Sequence, residues 1–310
     1  MTALICGSLA YDTIMVFHDR FKNHILPDKV HILNVSFLVP ELRREFGGCA
    51  GNVAYNLNLL GAPGLPMGTV GMDFEPYARW MDQCCISRQY IRVIDQTYTA
   101  QAYITTDLDD NQITAFHPGA MNFSHENTVH DIEGIRLGMV SPDGRQGMLD
   151  HAEQFAAANI PFIFDPGQGM PMFDGDDLLG FVDKASWVTL NDYEAQLMQD
   201  RTGLSFHELA ERVEALIITR GGEGSHIYTA QKRLEIPVAA PRQQVDPTGC
   251  GDAYRAGLIY GLLNGLDWET TGRIASLLGA LKIEVSGTQN HTFTRDGFDA
   301  RFKESFGYAL

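Results

Sequence analysis

From Leu137 onward, short apolar runs alternate with segments of helical length. LGMVSP (137–142) precedes GMLDHAEQFAAA (147–158), PFIFDPG (161–167) precedes DDLLGFVDKA (176–185), and WVTLND (187–192) precedes EAQLMQD (194–200). ALIITRGG (215–222) closes the series. The apolar runs are too short for helices and lack the strict alternation of a half-exposed strand, so they read as strands buried on both faces. Strand–helix alternation of this kind predicts a mostly parallel sheet covered by helices on both sides. Ala3 to Leu9 fits the same sheet as a buried first strand, ending in Gly7-Ser8 before Asp12.

Other segments read differently. Val30 to Val39 (VHILNVSFLV) is β-branched and partly alternating, which predicts a more exposed strand. Tyr98 to Phe116 predicts a hairpin about the polar turn DLDDNQ, and Ser225 to Val238 a shorter one. Helices are predicted over residues 51–60, 250–264 and 269–285. With no repeat or linker in view, the expectation is one domain over residues 1–310. It is an α/β core carrying a small discontinuous β lid from about residues 13–46 and 97–119.

Composition narrows the class. An apolar fraction of 45% over 310 residues allows a large core. The balance of 39 acidic against 23 basic residues, net −16, repels phosphate backbones and argues against a nucleic-acid partner. MTALICGSLAYD has no basic leader region, and no stretch reaches 18 apolar residues, so the expected location is cytoplasmic, with no membrane contact. Five cysteines without a C-x-x-C pair suggest neither a disulfide framework nor a zinc site.

The run Asp246-Pro247-Thr248-Gly249-Cys250-Gly251-Asp252-Ala253-Tyr254-Arg255-Ala256-Gly257 carries the strongest chemical signal. Its glycines allow a sharp turn with open N–H groups, and it leads into an apolar helix whose N-terminus favours phosphate. A carboxylate at Asp252 repels such a ligand, yet is well placed to take a proton from an attacking hydroxyl. Gly47-Gly48-Cys49-Ala50-Gly51-Asn52 offers close backbone approach and an amide at a helix start. Asp12 has two acceptor oxygens that suit a vicinal diol. Asn191-Asp192-Tyr193-Glu194 and Thr219-Arg220-Gly221-Gly222-Glu223-Gly224 each close an apolar strand, where parallel sheets place ligands. Read singly, each of these shorter motifs is also satisfied by a turn or a helix cap.

Together they resemble the ribokinase family, the PfkB-type carbohydrate and nucleoside kinases, in order and spacing over essentially the whole chain. The resemblance implies a Rossmann-like core, a β lid and MgATP as phosphoryl donor. It implies Asp252 as general base, with the N–H groups of Gly249, Cys250 and Gly251 as an anion hole. Gly48 and Asn52 would contact acceptor hydroxyls, and Asp12 the diol. Asn191 would lie near the nucleotide phosphates, and Glu194 would act through water on Mg²⁺. Thr219, Arg220, Gly221 and Gly224 would cradle ATP. Asp246 and Thr248, with the loop at Ser286-Gly287, would flank a K⁺ ion. Asp143 and Asp165 receive no role.

Cys49 stands where many sugar kinases of this family carry a lysine. Three features point to a nucleoside: that departure; the aromatics Phe116, Tyr98 and Tyr103 on the predicted hairpin, which suit stacking on a base; and runs such as SLAYD and DPTGCGD, which resemble the adenosine-kinase-like branch. The expected acceptor is therefore the 5′-hydroxyl of a ribonucleoside, adenosine or another purine nucleoside, with Phe116 against the base. The alternative is a sugar kinase of ribokinase or fructokinase type. A second copy of the chain, docked through the lid, is the candidate protein partner. A dehydrogenase is disfavoured because no G-x-G-x-x-G follows the first strand.

Overall fold

A computed structural model describes residues 2–25, 34–109, 111–130 and 132–310. The first strand, β1 (Thr2–Cys6), is buried along nearly its whole length. The chain then leaves the core for β2 (Ala10–Val16) and β3 (Glu41–Gly47), and returns through α1 (Cys49–Leu59) to β4 (Gly64–Gly71), α2 (Glu75–Gln83) and β5 (Tyr90–Ile94). A second excursion forms the hairpin β6 (Ala100–Thr106) and β7 (Gln112–His117). The alternating half follows: β8 (Ile135–Val140), α3 (Arg145–Ala157), β9 (Phe162–Phe164), α4 (Gly175–Val182), β10 (Trp187–Asn191), α5 (Asp192–Thr202), α6 (Phe206–Ala210) and β11 (Ala215–Thr219). The hairpin β12 (Ser225–Tyr228) and β13 (Arg233–Ile236) precedes α7 (Cys250–Leu263), α8 (Trp268–Ile283) and α9 (Arg295–Phe306).

Among the described residues, nine strands form one sheet in the order β13-β12-β11-β10-β9-β8-β1-β4-β5. The strands from β5 to β11 run parallel, and only the β12–β13 edge is antiparallel. One core cluster packs α1, α2, α7, α8 and α9 on one face; a second packs α3, α4, α5 and α6 on the other. β1 is the switch point, because the chain moves outward from it to β4 on one side and later to β8 on the other. Ligands of open parallel sheets bind outside the strand C-termini at such a point.

The excursions build a separate four-stranded sheet, β3-β2-β6-β7. Its strands β2 and β6 run parallel, and the outer pairs are antiparallel. The strand expected over Val30 to Val39 is not there. Residues 30–33 lie outside the described residues, 34–40 have no regular structure, and the strand is β3 instead. ELRREFG is a charged edge strand, and charge on an edge hides it from an apolar pattern while deterring unwanted pairing. The sheet also begins earlier than expected, at Ala10. Among the described residues no helix is long and apolar enough to cross a membrane.

Candidate active site

Gly249 caps α7 at φ 80°, a left-handed conformation, and a Cβ there would press on Thr288 at 3.1 Å. Glycine therefore fits both the backbone and the space. Asp252 follows in the first turn of the helix, half-buried. Its carboxylate accepts from Asn52 Nδ2 at 2.8 Å, across a sequence separation of 200 residues. Burial pushes its pKa up to about 6. Asp165 adds to that rise, while the Asn52 hydrogen bond, the Arg255 charge and the Cys49 thiol oppose it. A carboxylate ionised at neutral pH yet more basic than usual suits proton abstraction. The Cys250 N–H donates to Pro247 O at 3.2 Å, the long end of the range.

Asn52 is buried in α1 and held from behind. Gln289 Nε2 donates to its Oδ1 at 2.9 Å and reaches the Tyr77 hydroxyl at 2.7 Å. Trp80 Nε1 donates to Gln289 Oε1 at 2.9 Å, and the Tyr77 hydroxyl donates to Gly47 O at 2.8 Å. The chain Trp80–Gln289–Asn52–Asp252 thus fixes which amide face meets the carboxylate. The structure links Asn52 to the candidate base, beside the acceptor role expected of it. Gly48 caps α1 at φ 86°, where a Cβ would lie 2.5 Å from Ser8 O. No other residue fits there without moving β1's exit.

Asp12 projects from β2 beside this helix start. A Cβ on Gly47 would lie 2.7 Å from Asp12 Oδ2, so that glycine leaves the carboxylate its room. Burial, then the charges of Glu45 and Asp246, push the Asp12 pKa up to about 6. Strand register fixes the company it keeps. Asp12 pairs with Ala102, and Ala102 with Phe116, so Asp12 and the exposed Phe116 share one face of the small sheet. Tyr103 pairs with Thr13 and Ala115 and points to the opposite face. That corrects the expectation that Tyr103 lines the same aromatic surface: one residue of offset reverses the face in a strand.

The residues expected on the nucleotide side lie at the C-terminal ends of parallel strands. Asn191 caps α5 in a reciprocal box: its Oδ1 accepts from Glu194 N at 2.7 Å, and Glu194 Oε2 accepts from Asn191 N at 2.8 Å. Burial and the Asp165 charge raise the Glu194 pKa against the pull of Arg255. Thr219 ends β11 with its hydroxyl on Leu190 O at 3.3 Å, and Arg220 bonds His226 Nε2 at 3.0 Å and pairs with Glu223. Gly221 and Gly222 face open space, and Gly224 sits at φ 82° against Ile236 O.

Sequence reasoning missed Arg255. It lies on α7 three residues after Asp252, hence on the same helix face, which was the available signal. It is buried and grips Asp165 with two hydrogen bonds of 3.0 and 3.1 Å, with Glu194 Oε2 at 3.9 Å. This ion cluster ties the start of α7 to the ends of β9 and β10, and gives Asp165 a structural partner. Gln289, Tyr77 and Trp80 were missed too, with no local motif to mark them. Asp246 accepts from Thr248 N and Gly287 N, both at 2.9 Å. Burial would raise its pKa, but these hydrogen bonds prevail and lower it. The side chain of Lys282, buried at the end of α8, donates to Asp246 O at 2.7 Å and to Val285 O at 3.2 Å. The expectation of potassium beside Asp246 and Thr248 thus meets a site in which an ammonium already engages the Asp246 carbonyl.

A sequence model of the pfkB family of carbohydrate kinases matches residues 9–295, which include every motif above. The chain belongs to that family. Among curated relatives of this pfkB-family kinase, a nucleoside kinase of Methanocaldococcus jannaschii is 31% identical over 265 residues, 85% of this chain and 87% of that protein. The ribokinase of Bacillus subtilis is 25% identical over 256 residues, 81% of this chain and 85% of that one. Among solved structures, the nucleoside kinase of Burkholderia thailandensis in complex with inosine superposes with a TM-score of 0.91 at 55% identity, covering 99% of each chain. The same protein in complex with ADP-inosine gives 0.88 at 56% identity, covering 99% of this chain and 97% of that one.

Proposed function

We propose that the chain transfers the γ-phosphoryl group of ATP to the 5′-hydroxyl of a ribonucleoside, purine nucleosides first. The observation that carries this reading is the 55% identity, over 99% of the chain, to a nucleoside kinase whose structure holds inosine. The sugar-kinase alternative is weakened by the same comparison, since the ribokinase relative is less similar. Asp252 takes the proton from the attacking hydroxyl, with Asn52 aiming its carboxylate. The N–H groups of Gly249, Cys250 and Gly251 meet the charge on the transferring group, aided by the α7 N-terminus. Asp12 and Gly48 hold the ribose, and the small sheet acts as a lid bringing Phe116 to the base. Such a reaction depends on positioning and electrostatics more than on covalent chemistry.

Asn191, Thr219, Arg220, Gly221 and Gly224 form the ATP cradle in this reading, supported by the open space over Gly221 and Gly222. Magnesium, when bound, neutralises phosphate charge. Glu194 suits it through water, because one carboxylate oxygen is already committed to the Asn191 N–H. ATP and nucleosides as substrates fit a cytoplasmic enzyme. Exposed Tyr103 on the outer lid face suits a second copy of the chain.

The test is product identity. With MgATP and inosine or adenosine, the product should be the 5′-monophosphate, formed in step with ADP. The 5′-deoxynucleoside should bind competitively and consume no ATP. Phosphate found at the 2′ or 3′ position, or no transfer to any nucleoside, would sink the reading.

A further inference from the structure

Lys282 is fully buried, at 0% exposure, in the last turn of α8. A buried ammonium is costly unless its donors are used. Its two recorded acceptors belong to different loops: Asp246 O, where the anion-hole turn begins, and Val285 O, where the C-terminal loop leaves α8. The bond to Val285 O alone would be an ordinary helix-end contact. The bond to Asp246 O is not local, because it crosses 36 residues. The same two loops are joined again by Gly287 N to Asp246 Oδ2, and by Val245 N and Asp246 N to Ile283 O at 2.8 and 3.2 Å. Gly249, whose Cβ space is closed by Thr288 of that C-terminal loop, follows Asp246 by three residues, and Asp252 follows Asp246 by six.

We propose that Lys282 is a positioning residue, whose ammonium serves as a built-in monovalent cation that holds the Asp246–Gly251 turn in its phosphate-receiving shape. The proposal rests on the phosphotransfer reading above. A family resemblance that implies potassium beside Asp246 and Thr248 does not fit these residues, since the Asp246 carbonyl and the nearby Val285 carbonyl already accept from a charged group. A tethered ammonium cannot be diluted away, so turnover is independent of the potassium concentration.

The experiment uses the full chain in potassium chloride and in the chloride of a bulky organic cation at equal ionic strength. Wild-type kcat should agree within about twofold between the two media, less than the effect of one charge-assisted hydrogen bond. Its melting temperature should agree as well. Lys282→Ala should lower kcat by about tenfold or more, as expected when such a bond is lost, with KM for the nucleoside little changed. Potassium, and not the organic cation, should then restore part of the rate and raise the variant's melting temperature. A purely structural lysine would lose stability without this selective rescue. Strong potassium activation of the wild type would overturn the proposal, even if the variant fails to fold. So would an alanine variant that folds and either keeps its rate or loses it without rescue. No turnover in any medium would instead count against the phosphotransfer reading, and the melting comparison would still judge the cation.

Discussion

Asp252 has the features of a general base: a first-turn position, an amide aiming it, and a pKa pushed up to about 6 chiefly by burial. Asp252→Asn should lower kcat by about 10²–10⁴, leaving ATP affinity near wild type. Retention of more than about a tenth of the rate contradicts the assignment. In the wild type, kcat/KM should rise with pH through about 6 and flatten above, because the base works only when ionised. Asp12 titrates in the same range, so the acid limb should be steeper than one group gives. Asp143 makes a separate prediction. It is buried, one carboxylate oxygen has no hydrogen-bond partner among the described residues, and burial pushes its pKa up to about 8. Between the unfolded value of 3.8 and 8, the folded state keeps a proton that the unfolded chain has lost, so stability falls as pH rises through that window. Asp143→Asn cannot ionise and keeps the acceptor for the Gly144 N–H. Its melting temperature should gain on the wild type from pH 5 to pH 8; a constant gap would mean that the group does not titrate there.

At the scale of elements, the proposed function makes one face of the small sheet the surface that the acceptor meets. Phe116 shares the Asp12 face by register, so Phe116→Ala should reduce kcat/KM for inosine several-fold, about the worth of one aromatic contact, and that for ribose little. Equal losses would mean that the ring only supports the sheet. This face was half legible in the sequence. The hairpin is visible in TYTAQAYITT and ITAFH, but its register is not, and that register turns Tyr103 away from the Phe116 face. The alternating half of the chain read well because buried parallel strands are continuous apolar runs. β4 contains Gly64, Pro66, Gly68 and Gly71 and α2 is short, so neither announces itself. α9 (RDGFDARFKESF) was missed for want of a clear apolar stripe. In the site, motifs marked residues that the fold brings to helix starts and strand ends. The supporting contacts of Gln289 with Tyr77 and Trp80 join a C-terminal loop to α2, 212 and 209 residues apart, where only folding reveals them.

For the whole molecule, a net charge of −16 and an anionic donor set a problem that the fold answers locally. A parallel sheet gathers the ends of β9, β10 and β11, and the Arg255 cluster brings the α7 N-terminus to meet them. The discontinuous small sheet then carries Asp12 and Phe116 as a separate layer, joined to the C-terminal loop by Arg43 to Ser286 Oγ and Glu45 to Asn290. Tyr11 and Phe46 at the base of that sheet also pack against Tyr77 and Trp80 of α2, so apolar contact anchors the layer to the core as well. The measurement that bears most directly on the account is kcat/KM, with saturating MgATP, for inosine and adenosine against ribose and fructose 6-phosphate. Inosine or adenosine should exceed both sugars by at least about tenfold, the combined worth of base stacking and the apolar area it buries. A sugar that outperforms both nucleosides would contradict the nucleoside reading and leave the phosphotransfer site standing.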